Sequence, residues 1–295
     1  MTSDQGQTRN TINVEDALIE SHQALAGDQH LLRLQAPLTA AAARPGNFIH
    51  LSCHPQLPMR RPMSIMRCSP DQGWLDILYK VHGHGTSLLA QRVEGEILSL
   101  LGPIGVPFRL DGYRRRPLLI GGGVGIPPMV FLAEHMKGMA EAPSPLVIMG
   151  SEVPFPFQPV PSRIMVDGLP GAAIACMPLL EDWRIASRLC SLQGYPGCHQ
   201  GYVTDLARLW LEQLAPEARA EVEVFSCGPT PMLKAVAALA REFDLPCQIS
   251  VEEYMACAVG GCAGCTIRVA TPQGPAMKRV CVDGPVFEGS SVFPQ

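Results

Sequence analysis

The sequence predicts a multidomain chain made of an antiparallel β-barrel, an α/β domain with a doubly wound parallel sheet, and a small C-terminal domain formed by a cysteine loop and a hairpin. Three observations predict it. Short apolar runs broken by turns recur through the first hundred residues. A strand, a glycine-rich turn and a helix then open a β/α alternation, and near the end four cysteines stand at the spacing C-x4-C-x2-C-x15-C. The boundaries drawn from these patterns are a flexible N-terminus at 1–11, a barrel at 12–110, an α/β domain at 111–248 and the cysteine domain at 249–295. At about 150 residues per domain, 295 residues call for at least two cores, and a hydrophobic share of 47% is enough to build them.

The formal net charge of −4 and the pI of 6.1 give no basic field, which argues against nucleic acid or an anionic membrane as a partner. The opening Met1-Thr2-Ser3-Asp4-Gln5 lacks the basic and apolar regions of a secretory leader. Apolar runs also fall short of the roughly 18 residues that a membrane span needs. The expectation is therefore a cytoplasmic protein without membrane insertion. Its eleven cysteines are read as ligands, thiols or small core residues rather than disulfides.

In the barrel, strands are expected at 31–34, 47–51, 74–81 and 96–100, where β-branched and aliphatic residues cluster between turn signals. Between them lies Arg61-Pro62-Met63-Ser64. It offers a guanidinium suited to a pyrophosphate, a rigid proline, and a hydroxyl able to hydrogen-bond a flavin ring. Further on, Leu78-Tyr79-Lys80 leads into Gly83, Gly85 and Thr86, a glycine-bearing turn that forms a phosphate cradle where a helix starts. His82 and His84 make an H-x-H pair, but without a third local ligand they read as ordinary loop residues.

In the α/β domain the strand 117–120 runs into Gly121-Gly122-Gly123-Val124-Gly125, followed by a helix expected over 129–139. Glycines let the backbone approach a pyrophosphate, and the helix start favours its negative charge. Pro128 stands where the usual pattern has a third glycine. A strand at 146–149, a helix at 204–214, a strand at 221–225 and a helix at 231–243 continue the alternation. Cys227 and Gly228 close that second strand, at the carboxyl edge where open α/β sheets bind ligands. Glu152, after the 146–149 strand, suits a ribose with a free 2′-hydroxyl, which favours NAD over NADP. The proline-rich 154–161 stretch is expected to be a surface loop.

Cys257, Cys262, Cys265 and Cys281 have the plant-type ligand spacing of a [2Fe-2S] cluster. A structural zinc site also takes four thiolates, but it usually pairs them as two short knuckles. Here three cysteines crowd a glycine-rich loop and the fourth is remote, which suits the cluster better. After Cys265 the hairpin is expected as strands 266–269 and 277–282 around a turn at 271–275, with Cys281 on the returning strand.

Taken in order, Pro45-Gly46-Asn47-Phe48, Arg61 to Ser64, Gly85-Thr86, Leu101-Gly102-Pro103 and Cys227-Gly228-Pro229 resemble the ferredoxin-reductase superfamily. The run from Glu252-Glu253-Tyr254-Met255-Ala256-Cys257 to Cys265 further resembles the electron-transfer subunit of class B dihydroorotate dehydrogenase. The resemblance implies that Arg61, Pro62, Met63, Ser64, Leu78, Tyr79, Lys80, Gly85 and Thr86 hold FAD. It implies that Gly121, Gly122, Gly123, Gly125, Cys227 and Gly228 hold NAD, and that the four cysteines hold the cluster. It also implies a catalytic dihydroorotate dehydrogenase subunit as partner, in a heterotetramer of two plus two, and no acid/base pair in this chain. An NAD(P)H-dependent reductase subunit serving a hydrogenase or oxygenase is the alternative, and a zinc-bearing interaction module a third.

Overall fold

The structure, a computed structural model, describes residues 12–294; the flexible N-terminus expected at 1–11 lies outside the described residues. The described residues divide into two compact units, one formed by 12–108 with 251–286 and the other by 109–250 with 287–294.

The first unit is built on a seven-stranded antiparallel sheet that curls as the expected barrel does but stays open, a half-barrel with Arg61–Ser64 and Arg67–Ser69 as its edges. Its strands run, in spatial order, Arg61–Ser64, Phe48–Leu51, Ile97–Ile104, Asn13–Leu25, Gln29–Gln35, Trp74–Lys80 and Arg67–Ser69. Alternation sets the inner face: Ala17 and Ile19 are buried while Val14, Asp16 and Leu18 face outward. Leu32, Leu34, Leu75 and Ile77 fill the interior from the neighbouring strands. The strand Asn13–Leu25 is missing from the expected set because its acidic residues hide its alternation. One of them, Glu15, is buried and accepts the N–H groups of Leu38 and Thr39 at 2.7 Å, fixing the start of the helix Pro37–Ala42.

The same unit carries the C-terminal hairpin, Thr266–Thr271 against Gly274–Arg279. Here the expectation needs correction. The returning strand stops at Arg279, and Cys281 sits on a helical turn, Val280–Asp283. The Asp283 carboxylate accepts the Arg279 N–H at 2.8 Å, which bends the chain out of the strand and into that turn.

The second unit holds a six-stranded sheet in the order Ala186–Cys190, Leu146–Gly150, Arg116–Gly122, Val222–Cys227, Cys247–Ser250 and Val286–Glu288. The first five pair in parallel. Leu118, Leu119 and Ile120 are fully buried in succession, as a strand covered on both faces requires. The chain steps outward from 116–122 to the 146–150 and 186–190 strands, then returns to the other side at 222–227. Its switch point therefore falls between Arg116–Gly122 and Val222–Cys227.

The helix after the glycine turn is Ile126–Lys137, three residues earlier than expected, because Pro127 and Pro128 fit a first turn that needs no N–H donors. The strands Ala186–Cys190 and Cys247–Ser250 are additions to the expected set. The proline-rich stretch is mostly loop, but Val160–Pro161 pairs with Ala175–Cys176 and Phe155 is buried against Phe157 and Tyr195. Among the described residues no helix is long and apolar enough to cross a membrane, and no disulfide joins any two cysteines.

Candidate functional site

The strand Arg61–Ser64 pairs with Phe48–Leu51 in the register Phe48↔Ser64, Ile49↔Met63, His50↔Pro62 and Leu51↔Arg61. Opposed residues of an antiparallel pair share a face, so Pro62 and Ser64 lie with Phe48 and His50, while Arg61 and Met63 lie with Leu51 and Ile49. The turn after Trp74–Lys80 passes through Gly83 at φ 80° into the short helix His84–Leu89. There the Thr86 hydroxyl donates to the Gly83 carbonyl at 3.2 Å and accepts the His82 N–H at 2.7 Å. A β-carbon on Gly85 would stand 2.8 Å from Nε of Arg61. The fold thus brings Arg61 and Gly85 together, and only glycine leaves the guanidinium its place.

The neighbouring strand contributes less through its side chains. Leu78 and Tyr79 are buried and Lys80 is exposed. The Tyr79 hydroxyl is bonded to Nε2 of His22 at 2.9 Å, and its ring stacks on His30 at 5.2 Å between centroids. Burial raises the Tyr79 pKa above the usual phenol range and, together with His22, lowers that of His30. The Tyr79 ring is committed to this stack, so the strand offers a ligand its backbone rather than the phenol.

In the second unit, Gly121 and Cys227 are register partners at the carboxyl ends of the two strands flanking the switch point. Gly123–Gly125 forms a single 3-10 turn leading into the 126–137 helix. A β-carbon on Gly125 would run into the carbonyl of Cys227, and one on Gly122 would stand 2.5 Å from the Met232 sulfur. Gly228 is at φ 157°. Gly121, Gly122, Gly125, Cys227 and Gly228 thus meet as packed backbone at the carboxyl end of the sheet, with Gly123 in the turn between them and Cys227 itself 1% exposed. Glu152 is an exposed loop residue beyond the 146–150 strand.

The cysteine loop winds tightly: Ala258 and Ala263 take φ of 57° and 54°, and Gly260 takes 82°. The Cys262 N–H donates to the Cys257 sulfur at 3.4 Å and the Gly264 N–H to the Cys262 sulfur at 3.4 Å. The helical turn at 280–283 brings Cys281 to 3.3 Å from Cys265, sulfur to sulfur. Burial alone would raise the Cys257 pKa, but N–H donors from Cys262, Val259 and Gly261 outweigh it and bring it down to about 7. Burial and the adjacent Cys265 push the Cys281 thiol well up.

The four thiols form an outer pair, Cys257 with Cys262, and a buried pair, Cys265 with Cys281. Among the described residues no three Cys, His, Asp or Glu side chains converge on one point. A single ion wants four thiolates around one centre, whereas a two-iron cluster takes two thiolates on each iron. The paired arrangement, the N–H groups aimed at sulfur and the soft donor set fit the cluster. The glycine turn at the helix start likewise fits a dinucleotide, and the Arg61–Gly85 contact fits a flavin pyrophosphate.

One residue beside this site has no motif to mark it. His50 is 1% exposed, between Ile49 and Leu51, and neither ring nitrogen makes a hydrogen bond of good geometry, although the Met255 backbone stands close enough to act on the imidazole. Burial, helped by the charges of Arg60 and Arg61, lowers its pKa to about 4.

A curled flavin-type sheet, a dinucleotide turn at a switch point and a loop of paired thiols define an electron-transferring oxidoreductase with the ferredoxin-reductase fold. Residues 252–293 match the family model described as the iron-sulfur cluster binding domain of dihydroorotate dehydrogenase B. The chain belongs to the family of dihydroorotate dehydrogenase B (NAD(+)) electron transfer subunits. It is 34% identical to the Caldanaerobacter subterraneus subsp. tengcongensis member over 251 residues, which cover 84% of this chain and 87% of that one. It is 32% identical to the Bacillus caldolyticus member over 291 residues, covering 95% and 99%. Among solved structures, a chain of the NADH-dependent reduced ferredoxin-NADP oxidoreductase, studied for flavin-based electron bifurcation, superposes with a TM-score of 0.72. The two chains are 26% identical, with 94% of this chain and 90% of that one covered. The ferredoxin reductase of carbazole 1,9a-dioxygenase, 22% identical, shares the fold with a TM-score of 0.58 over 79% of this chain and 65% of that one.

Proposed function

We propose that this chain delivers electrons, taken from dihydroorotate by a catalytic flavoprotein partner, to NAD⁺, with FAD and one [2Fe-2S] cluster as its own cofactors. The observation that carries the reading is the pairing of four thiols in the same compact unit as the Arg61–Gly85 contact. Together these cofactors supply the conversion between one-electron transfer and the two-electron hydride chemistry of a nicotinamide.

The chain's residues do the holding. Arg61 sets its fork against a pyrophosphate that Gly85 lets come close, the Thr86 hydroxyl fixes the turn around it, and the Ser64 hydroxyl meets the flavin ring. Pro62 and Met63 hold that strand in the sheet, and the backbone of Leu78, Tyr79 and Lys80 forms the neighbouring wall. Gly121, Gly122, Gly123 and Gly125 present N–H groups to the NAD pyrophosphate, with Cys227 and Gly228 at the nicotinamide end. Cys257, Cys262, Cys265 and Cys281 are the cluster ligands. Proton chemistry on the substrate belongs to the partner, in an assembly of two subunits of each kind. Eleven cysteines without a disulfide among the described residues suit a reducing cytoplasm.

The test is anaerobic co-purification with the dihydroorotate-oxidising flavoprotein and measurement of NAD⁺ reduction. NADH formed with dihydroorotate as sole donor is the expected result, and a complex that reduces NAD⁺ only with another donor sinks it. A second reading, a reductase subunit serving a different acceptor, is favoured by the extent of the likeness to the bifurcating oxidoreductase chain. The same assay separates the two.

A further inference from the structure

The strand Phe48–Leu51 is wholly buried, and three of its four side chains are apolar. His50 is the fourth. A neutral imidazole carries one donor and one acceptor, and burying both without partners is costly, so such a group is usually matched to something. The register with Arg61–Ser64 puts it on the Pro62 and Ser64 side of the sheet. Within the same unit the C-terminal segment covers that side. A β-carbon on Gly105 would meet both Pro285 and the Phe48 ring, and the backbone of Met255 lies beside the imidazole. Met255 stands two residues before Cys257. One buried side chain is thus interposed between the strand assigned to the flavin and the segment that enters the thiol loop.

We propose that His50 is a positioning residue that ties the cluster loop to the flavin-binding strand, its imidazole closing a hydrogen bond to the backbone at Met255 once the four thiolates are loaded. The inference rests on the ligand set proposed above. The physical content is a restraint on loop opening: a hydrogen bond that reaches good geometry only in the closed loop lowers the population of the open one by the equilibrium factor that bond is worth. Its loss acts on the cluster and not on the sheet, because the strand's own pairing with its neighbours is made by the backbone.

The experiment uses the full-length protein, loaded anaerobically, with His50→Leu, which keeps bulk without polarity, and His50→Gln, which keeps a donor and an acceptor. Iron loss to an excess of a ferrous chelator, the electron paramagnetic resonance spectrum of the dithionite-reduced cluster, and FAD content are read together. His50→Leu is expected to release iron about tenfold faster, the factor for one ordinary hydrogen bond, with shifted g-values and unchanged FAD content. His50→Gln is expected to restore both readouts to near the parent values. Equal iron release and spectra in His50→Leu and the parent overturn the proposal. So do equal losses in both variants, which would make the ring mere filling, and so does lost FAD with parental iron kinetics. Should His50→Leu fail to fold, His50→Phe is read by the same criteria. A parent protein that binds no cluster overturns the ligand assignment as well, which separates that failure from failure of the tie alone.

Discussion

Among the turns that carry a cysteine next to a glycine, two are built on opposite principles. At the end of Val222–Cys227, Cys227 is 1% exposed and its carbonyl fills the place a β-carbon on Gly125 would need. In the loop from 257 to 265, Cys262 is exposed, a β-carbon on Gly261 would meet nothing within 4 Å, and two alanines sit at positive φ. The first turn is shaped by packing before any ligand arrives, as the nicotinamide dinucleotide proposed for it, which must come and go, would require. The second is held by sulfur and N–H contacts that a permanently ligated cluster would complete, so much of its rigidity is left to the metal.

The largest test of that contrast is Cys262→Ser. It is expected to abolish the cluster's visible bands and electron flow from the partner, while NADH-to-ferricyanide activity on the flavin persists. Loss of both activities together would mean the two regions are not separable. The reciprocal change, Gly125→Ala, forces a methyl group against the Cys227 carbonyl. It should cut NADH-to-ferricyanide turnover by roughly 100-fold, an overpacking effect at the upper end of its range, with cluster absorption untouched. Parental turnover would show that the glycine turn is less rigid than the packing implies.

Acid sharpens the comparison further. His50 has a folded-state pKa of about 4 against an ordinary value of 6.5, because burial disfavours its charged form. The unfolded chain therefore binds the extra proton first, and stability falls as the pH drops from about 6.5 towards 4. The loss should be about 2 kcal/mol between pH 7 and pH 5. Urea titrations of the parent and His50→Gln at the two pH values check it, and an equal loss of stability in the two proteins would sink it. The smallest effect is expected from Arg61→Gln, which takes away the charge-assisted contact proposed for the flavin pyrophosphate. FAD affinity measured by fluorescence should weaken about tenfold, with iron content unchanged, and parental affinity would remove Arg61 from the flavin site.

What the sequence made legible is what spacing alone encodes. Three cysteines in nine residues, a glycine run after an apolar strand, and Arg61-Pro62-Met63-Ser64 before Gly85 each point towards a cofactor class, and in their order along the chain they match the family. Three-dimensional partners were hidden. The apolar run Val280-Cys281-Val282 reads as more strand past Arg279 although the strand ends there, because the Asp283 carboxylate captures the Arg279 N–H and redirects the backbone. Asn13–Leu25 was obscured by Glu15, whose burial makes sense only beside the 37–42 helix. The Tyr79 side chain looks available for a cofactor until His22 and His30 are seen against it. His50 gives no signal at all, since a single polar residue in an apolar strand announces neither its burial nor what faces it.

The unequal exposure of the four thiols sets a direction for damage. Cys265 and Cys281 are 2% and 3% exposed, whereas Cys262 lies open to solvent. An oxidant diffusing in reaches the outer edge first, where sulfur can climb the oxidation ladder while its inner neighbours stay shielded. With the proposed ligand set, wear would begin at one rim, and the sheltered couple would remain as a footing on which iron and sulfide can be laid down again.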